Sequence, residues 1–187
     1  MDQTETPRIW IACRALFDAG TLHGGWVETI DADAARRTIA TILQSSPDPH
    51  AKEWMICDHQ HFGGLQVSED DSIEELCRLG VCIQRYGEPF IAYAKLVGQK
   101  DATADGFDDR FLGHYACKED YGKDVFDEAF PPESLPDGLG GCIDYTKFTR
   151  EVFACDTYAV PASGGGVYVF SDVYRFHFPN LSVKETV

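Results

Sequence analysis

Bases are scarce in this chain. It has 16 lysines and arginines against 31 aspartates and glutamates, a formal charge of −15. A protein that grips nucleic acid needs grooves of lysine and arginine to replace the counterions of the phosphates. Direct nucleic-acid binding is therefore not expected, and the same field repels an anionic membrane surface. Long apolar runs are missing too: nothing approaches the roughly 18 to 20 residues that a membrane-spanning helix needs. The seven cysteines stand at 13, 57, 77, 82, 117, 142 and 155, an odd number with no C-x-x-C pair. No basic-plus-apolar region opens the sequence. Together these predict reduced thiols and a cytoplasmic setting.

What is present is enough apolar residue to build a core, 44% of the chain. Acids are not gathered in a tail: residues 1 to 65, 66 to 108 and 109 to 187 are each net negative. Such a field attracts basic partners from a distance, though plain solubility gives the same sign.

The most informative stretch runs from Glu53 to Tyr86. A short strand candidate, Trp54 to Cys57, stops before the Gly63-Gly64 turn. The run Glu69-Asp70-Asp71 and then Glu74-Glu75 follows, with no lysine or arginine between 69 and 75. Ser72 followed by Glu75 reads as a capping box, in which each side chain satisfies a backbone amide of the first turn. Ile73, Leu76, Gly80 and Ile83 then recur at helical spacing until Gly87 and Pro89. Acids at a helix start are favoured by the macrodipole. Taken alone, such a run is more often a solvated, well-capped helix start than a working surface.

The rest of the pattern predicts an α+β fold in small modules. Residues 1 to 65 read as a small sheet (Arg8 to Arg14, His23 to Glu28, Trp54 to Cys57) with one helix from Ala32 to Leu43 capped by Asp31. Residues 66 to 106 read as helical, with a second helix from Pro89 to Leu96. Residues 107 to 170 open with a helical segment anchored by Phe111, Leu112 and Tyr115. A helix from Lys118 to Phe130 follows, burying Tyr121, Val125, Phe126 and Ala129. Next come a short helix capped by Asp144 and two strands, Asp156 to Val160 and Val167 to Phe170, joined at Gly164 to Gly166. In the tail, 171 to 187, Tyr174, Phe176 and Phe178 alternate with Arg175 and His177 as in an edge strand.

Motifs for catalysis are thin. His59 and His61 would share a face if their strand continues, but no third and fourth ligands stand at zinc spacing, so no metal is expected. Cys142, after Gly140-Gly141, resembles a nucleophile on a tight turn with His114 or His177 as base; buried structural cysteines are commoner. Gly164 to Gly166 precedes a strand and lacks a Lys-Ser/Thr partner, so it reads as a turn and not a phosphate cradle. No cofactor is expected, and the chain is read as a non-enzyme.

Six stretches, in order, resemble the ArdA antirestriction proteins: Thr6-Pro-Arg-Ile-Trp-Ile-Ala-Cys13, Leu22-His-Gly-Gly-Trp-Val27, Glu53-Trp-Met-Ile with Phe62-Gly-Gly-Leu65, Phe107-Asp-Asp-Arg-Phe-Leu-Gly-His-Tyr115, Ile143-Asp-Tyr145 and Gly166-Val-Tyr-Val-Phe170. The resemblance spans roughly residues 6 to 170. It implies an elongated DNA mimic of mobile genetic elements. Three small modules would present surface carboxylates to the DNA-binding groove of a type I restriction-modification enzyme or another DNA-binding complex. The acids placed on that surface are Glu69, Asp70, Asp71, Glu74, Glu75, Asp108, Asp109, Glu119, Asp120, Asp124, Asp127 and Glu128.

The resemblance also implies a homodimer joined through the last third. The sequence gives its own motive: residues 140 to 170 carry more apolar surface than a small sheet and one short helix can cover. Ile143, Tyr145, Phe148, Val167 and Val169 are placed at that interface. Two alternatives stand beside this reading, a thiol-dependent hydrolase built around Cys142 and an acidic interaction module for another basic partner.

Overall fold

The computed structural model describes residues 5–49, 51–131, 135 and 139–171. It forms two compact units, Met1–Ala104 and Asp105–Val187, each with helices and a small antiparallel sheet, an α+β fold. The module boundary expected at 65 falls within the first unit. The expected tail strand around Tyr174 to Phe178 lies outside the described residues.

In the first unit, β1 (Arg8–Cys13) is the central strand, flanked by β2 (Gly24–Glu28) and β3 (Trp54–Gln60). Both neighbours run antiparallel to it, with Trp10 opposite Trp26 on one side and Asp58 on the other. A central strand is paired on both edges, and β1 reads accordingly: Ile9, Ile11, Ala12 and Cys13 are all buried. The one-turn helix α1 (Arg14–Asp18) separates β1 from the loop to β2. Helix α2 (Ala32–Gln44) packs on β1 and β2 and touches α3 (Ile73–Tyr86), which in turn packs on α4 (Glu88–Val97). Asp31 caps α2 as its residue type predicts, accepting from the amides of Asp33 and Ala34 at 2.9 Å each.

Helix α3 supplies much of the core, through Ile73, Leu76, Leu79 and Ile83. Full burial of such side chains stabilises by roughly 1.5–3 kcal/mol each. Its start differs from the capping box that Ser72 and Glu75 suggest. The Ser72 hydroxyl makes no cap bond; it donates instead to the Glu74 carboxylate at 2.6 Å. A bond to a charged acceptor is stronger than one to a neutral group, so the neighbouring carboxylate displaces the expected geometry. At the middle of α3, Gly80 lies against the backbone carbonyl of Thr29, where an added Cβ would overlap that oxygen. Thr29 is itself buried and held by two bonds to the Pro7 carbonyl, so it has nowhere to retreat.

The second unit begins with α5 (Ala104–Asp108) and β4 (Phe111–Tyr115). The sequence suggested a helix carrying Phe111, Leu112 and Tyr115; the structure makes this stretch a strand. Phe107, Phe111 and Tyr115 are spaced by four, which fits a helix face and one side of a strand equally. The strand wins because β6 (Val167–Ser171) pairs with it, Phe111 to Phe170 and Tyr115 to Val167, while Gly113 at φ 136° cannot continue a helix. The sheet order is β4-β6-β5, with β5 (Thr157–Pro161) joined to β6 by the expected hairpin. Phe107, Phe111 and Phe170 form its aromatic centre, with ring centroids 4.9 to 6.3 Å apart.

Beside the sheet, α6 (Lys118–Ala129) and α7 (Tyr145–Ala154) pack antiparallel: Tyr121 meets Phe153, Gly122 meets Thr149, and Phe126 meets Tyr145 and Phe148. Asp144 caps α7 by accepting from the Lys147 amide. Ala129, expected to be buried, is exposed at the end of α6.

Replacing Gly80 with alanine tests the contact with Thr29. In an open helix that change stabilises by about 1 kcal/mol. Here overpacking, about 1–3 kcal/mol, opposes it. Gly80→Ala is expected to lower the urea midpoint, whereas Val81→Ala, at an exposed neighbour, leaves it nearly unchanged.

Candidate acidic interface

The acids before α3 are largely engaged. The Arg14 guanidinium holds Glu69 at 2.7 Å and Asp70 at 3.0 Å. Arg36, one turn into α2, holds Asp33 at 2.7 Å and also pairs with Glu74. One oxygen of Asp71 accepts from the Ser68 amide at 2.7 Å. Only Glu75 in this run projects with no hydrogen bond or ion pair among the described residues. The Ser72 hydroxyl, its own backbone amide and Arg36 together hold the Glu74 carboxyl down at about 2.

Helix α6 is different. Glu119, Asp120, Asp124 and Glu128 are exposed and enter no ion pair among the described residues. Asp127 alone is paired, with Lys123 at 2.8 Å. Asp120, Asp124 and Glu128 recur every fourth residue, so they stack on one face at a rise of about 6 Å per step. Like charges four apart weaken a helix by about 0.2–0.5 kcal/mol per pair. Asp127 and Glu128 in the last turn also oppose the macrodipole, and no base stands there to compensate. Asp120, in the first turn, suits the macrodipole; Asp124 and Glu128 do nothing for their own helix. Behind the row, burial raises the phenol pKa of Tyr115 and of Tyr121, and nearby carboxylates, Glu128 among them, add to both shifts. Asp108 closes α5 and Asp109 follows it; both are exposed.

The chain's bases are mostly occupied elsewhere. Arg8 lies over Trp26 and bonds Gln60. Arg78, within the acid-started helix α3, donates to the carbonyls of Ala102 and, at 2.9 Å, Gln99. Lys95 donates to the Gly63 carbonyl at 2.8 Å. The acids of α6 therefore stay largely unneutralised while the cations clamp backbone.

The other candidate sites resolve differently. His61 sits in a turn at φ 67° and pairs with Glu5 at 2.8 Å, and His59 stands edge-on to Phe62. Among the described residues no three His, Cys, Asp or Glu side chains converge as a metal ion requires. His114 turns Nε2 to the Gly165 carbonyl at 2.9 Å, so that nitrogen carries the proton and is not the basic one. Cys142 ends a 3-10 turn, Leu139–Cys142, and is exposed; His177 lies outside the described residues. Burial drives the Cys77 thiol up to about 11. At the expected dimer face, Ile143, Tyr145, Phe148 and Val167 are half-buried, and Val169 is wholly buried inside its own sheet. No described helix is long and apolar enough to cross a membrane.

This chain belongs to the ArdA family of antirestriction proteins, whose family model matches residues 9–167. No individual curated protein matches it.

The Ser72–Glu74 bond gives a titration test. The folded-state pKa of Glu74 lies below its ordinary value of 4.5. The stabilisation it reports is present above that ordinary value and is lost as pH falls towards about 2. Its exposed position lets solvent and salt screen it. In Ser72→Ala, a carbon-detected NMR titration is expected to find Glu74 moved up towards its ordinary range; an unmoved Glu74 would assign the shift to its own backbone amide and Arg36 instead.

Proposed function

We propose that this protein is a DNA mimic that blocks a type I restriction-modification enzyme by occupying its DNA-binding groove. The observation that carries the reading is the bare row Asp120, Asp124 and Glu128, in an antirestriction family member most of whose described bases are turned to structural work. Duplex DNA offers one charge per about 1.7 Å of axis, or about 3.4 Å per strand. A row at about 6 Å per carboxylate is sparser than one strand, so one helix is not enough. Exposed Glu119, Asp108 and Asp109 add to the row within the second unit, and the first unit brings acids of its own, Glu75 and the half-paired run at 69 to 74. Such a surface copies the positioning of phosphates and carries no base edges, so inhibition is indifferent to each enzyme's recognition sequence.

The second part of the proposal is a homodimer through residues 140 to 170, centred on Ile143, Tyr145, Phe148 and Val167. Two-fold pairing is the commonest way to cover an apolar patch. Val169 acts there through the shape of the sheet beneath. The setting is the cytoplasm of a cell that carries the mobile element.

Charge substitutions read out the mimic directly. One exposed charge is worth about 0–1 kcal/mol, so Asp71→Asn alone is expected to be nearly silent. Neutralising Asp120, Asp124 and Glu128 together is expected to flatten the salt dependence of inhibition, by up to about 0.9 in the log–log slope per lost contact. Neutralising Glu69, Asp70 and Glu74 is expected to weaken inhibition at least as strongly, because Arg14 and Arg36 then face the basic partner uncompensated. Wild-type inhibition that ignores salt would end the electrostatic mechanism.

The dimer is expected to respond to salt in the opposite sense, because added ions relieve the approach of two acidic chains. Sedimentation at micromolar protein is expected to show a dimer for the wild type and a folded monomer for Phe148→Asp. A fully dimeric, folded variant would move the interface elsewhere.

A further inference from the structure

The first unit carries a groove of about 550 Å³ between α2 and residues 69–74. Its apolar lining is Ile39 and Leu43 of α2, Trp54 at the start of β3 and Ile73 at the start of α3. Glu69, Asp70, Asp71 and Glu74 make it acidic, against Arg36 and Lys52. Glu69 and Glu74 are held by Arg14 and Arg36. Asp70 and Asp71 each commit one oxygen, to Arg14 and to the Ser68 amide, and leave Oδ2 of Asp70 and Oδ1 of Asp71 without a partner among the described residues.

Trp54 is the second observation. Elsewhere the molecule seats its own cations on aromatic faces: Arg8 on Trp26, Arg85 on Tyr86 and Lys118 on Phe153. Trp54 is half-buried in the groove, and its ring carries no cation and no second ring among the described residues. Indole is the best of the side-chain faces for a cation. Of the two basic side chains, arginine fits better. Its guanidinium is planar, weakly hydrated and stacks on aromatic rings while its edge donates to carboxylates.

We infer that this groove is a socket for one arginine side chain of the partner's DNA-binding groove. The guanidinium lies on Trp54 and donates to Asp70 and Asp71, and the methylenes cover Leu43. The inference rests on the DNA-mimic reading and adds to it an anchor that duplex DNA does not offer. Stacking and apolar contact release no counterions, so the Trp54 part of the anchor raises affinity at every salt concentration, beyond what the ion pair with Asp70 and Asp71 adds to the slope.

Two variants test it against a purified type I restriction enzyme over a range of salt. Trp54→Leu removes the aromatic face. Ala40→Trp fills the groove from an exposed position on α2, where folding is not at risk. Each is expected to weaken inhibition by about tenfold; Trp54→Leu, which leaves the carboxylates in place, keeps the wild-type slope, and Ala40→Trp, which shuts the arginine out, also lowers the slope by up to about 0.9. Should Ala40→Trp stay folded by circular dichroism and inhibit as the wild type does, the socket is wrong while the mimic stands. A change in slope with no change in affinity extrapolated to high salt would make the groove a charge contact only and also overturn it. Absence of inhibition by the wild type would remove the mimic reading and the socket with it.

Discussion

Like-charge repulsion is the condition under which everything else in this molecule is arranged. With acids outnumbering bases nearly two to one, compact folding has to be carried by apolar burial and by economical use of few cations. The cations that have long-range partners work as clamps. Arg14 ties the end of β1 to residues 69 and 70, and Arg36 ties α2 to the start of α3. Arg78 gathers the carbonyls after α4, and Lys95 holds the turn at Gly63. Each link joins segments far apart in sequence. Removing one would release a segment and also leave local acids without their neutraliser, so structure and electrostatics are coupled at the same residues.

Beside the clamps, close approach at glycine joins the elements. Gly80 lets α3 come down on Thr29, and Gly122 lets α6 come down on Thr149 of α7. The second contact has a cost. The Thr149 hydroxyl is buried with no hydrogen-bond partner among the described residues, and such a group generally costs about 1–3 kcal/mol. The surrounding rings, Tyr121 on Phe153 and Phe126 on Phe148, supply the compensating burial.

Local signals were legible in the sequence, and tertiary ones were not. Asp31 and Asp144 read correctly as caps because a cap depends on residues two or three positions away. Helix α3 was legible from its apolar period and from Gly87. Phe111 to Tyr115 misread as helix because a spacing of four is ambiguous and the deciding partner, β6, lies more than 50 residues on. The capping box failed because Arg36, distant in sequence, helps hold Glu74 where the Ser72 hydroxyl can reach it. For the interface, the acids themselves were plain. Which of them are neutralised was not, since Arg14 and Glu69 are 55 positions apart. Trp54 drew notice only as a strand residue; its place in an acid-lined groove needs the fold.

This division between paired and bare acids bears on how a mimic can be both broad and tight. A wholly bare field would bind any basic surface through counterion release, and would do so weakly at high salt. A wholly paired surface would be rigid and have little field. In the proposed reading α6 supplies the bare part, at a small cost to its own helix. The clamped region around α2 and α3 supplies shape, because Arg14 and Arg36 hold the carboxylates beside the Trp54 groove in fixed positions. Carboxylates held in place lose little freedom on meeting a partner, so more of each contact appears as affinity. The same two arginines lower the net charge there, so this part gives up long-range attraction in return for a defined surface. Long-range capture and short-range fit are then assigned to different helices of one chain, each set by where its few bases fall.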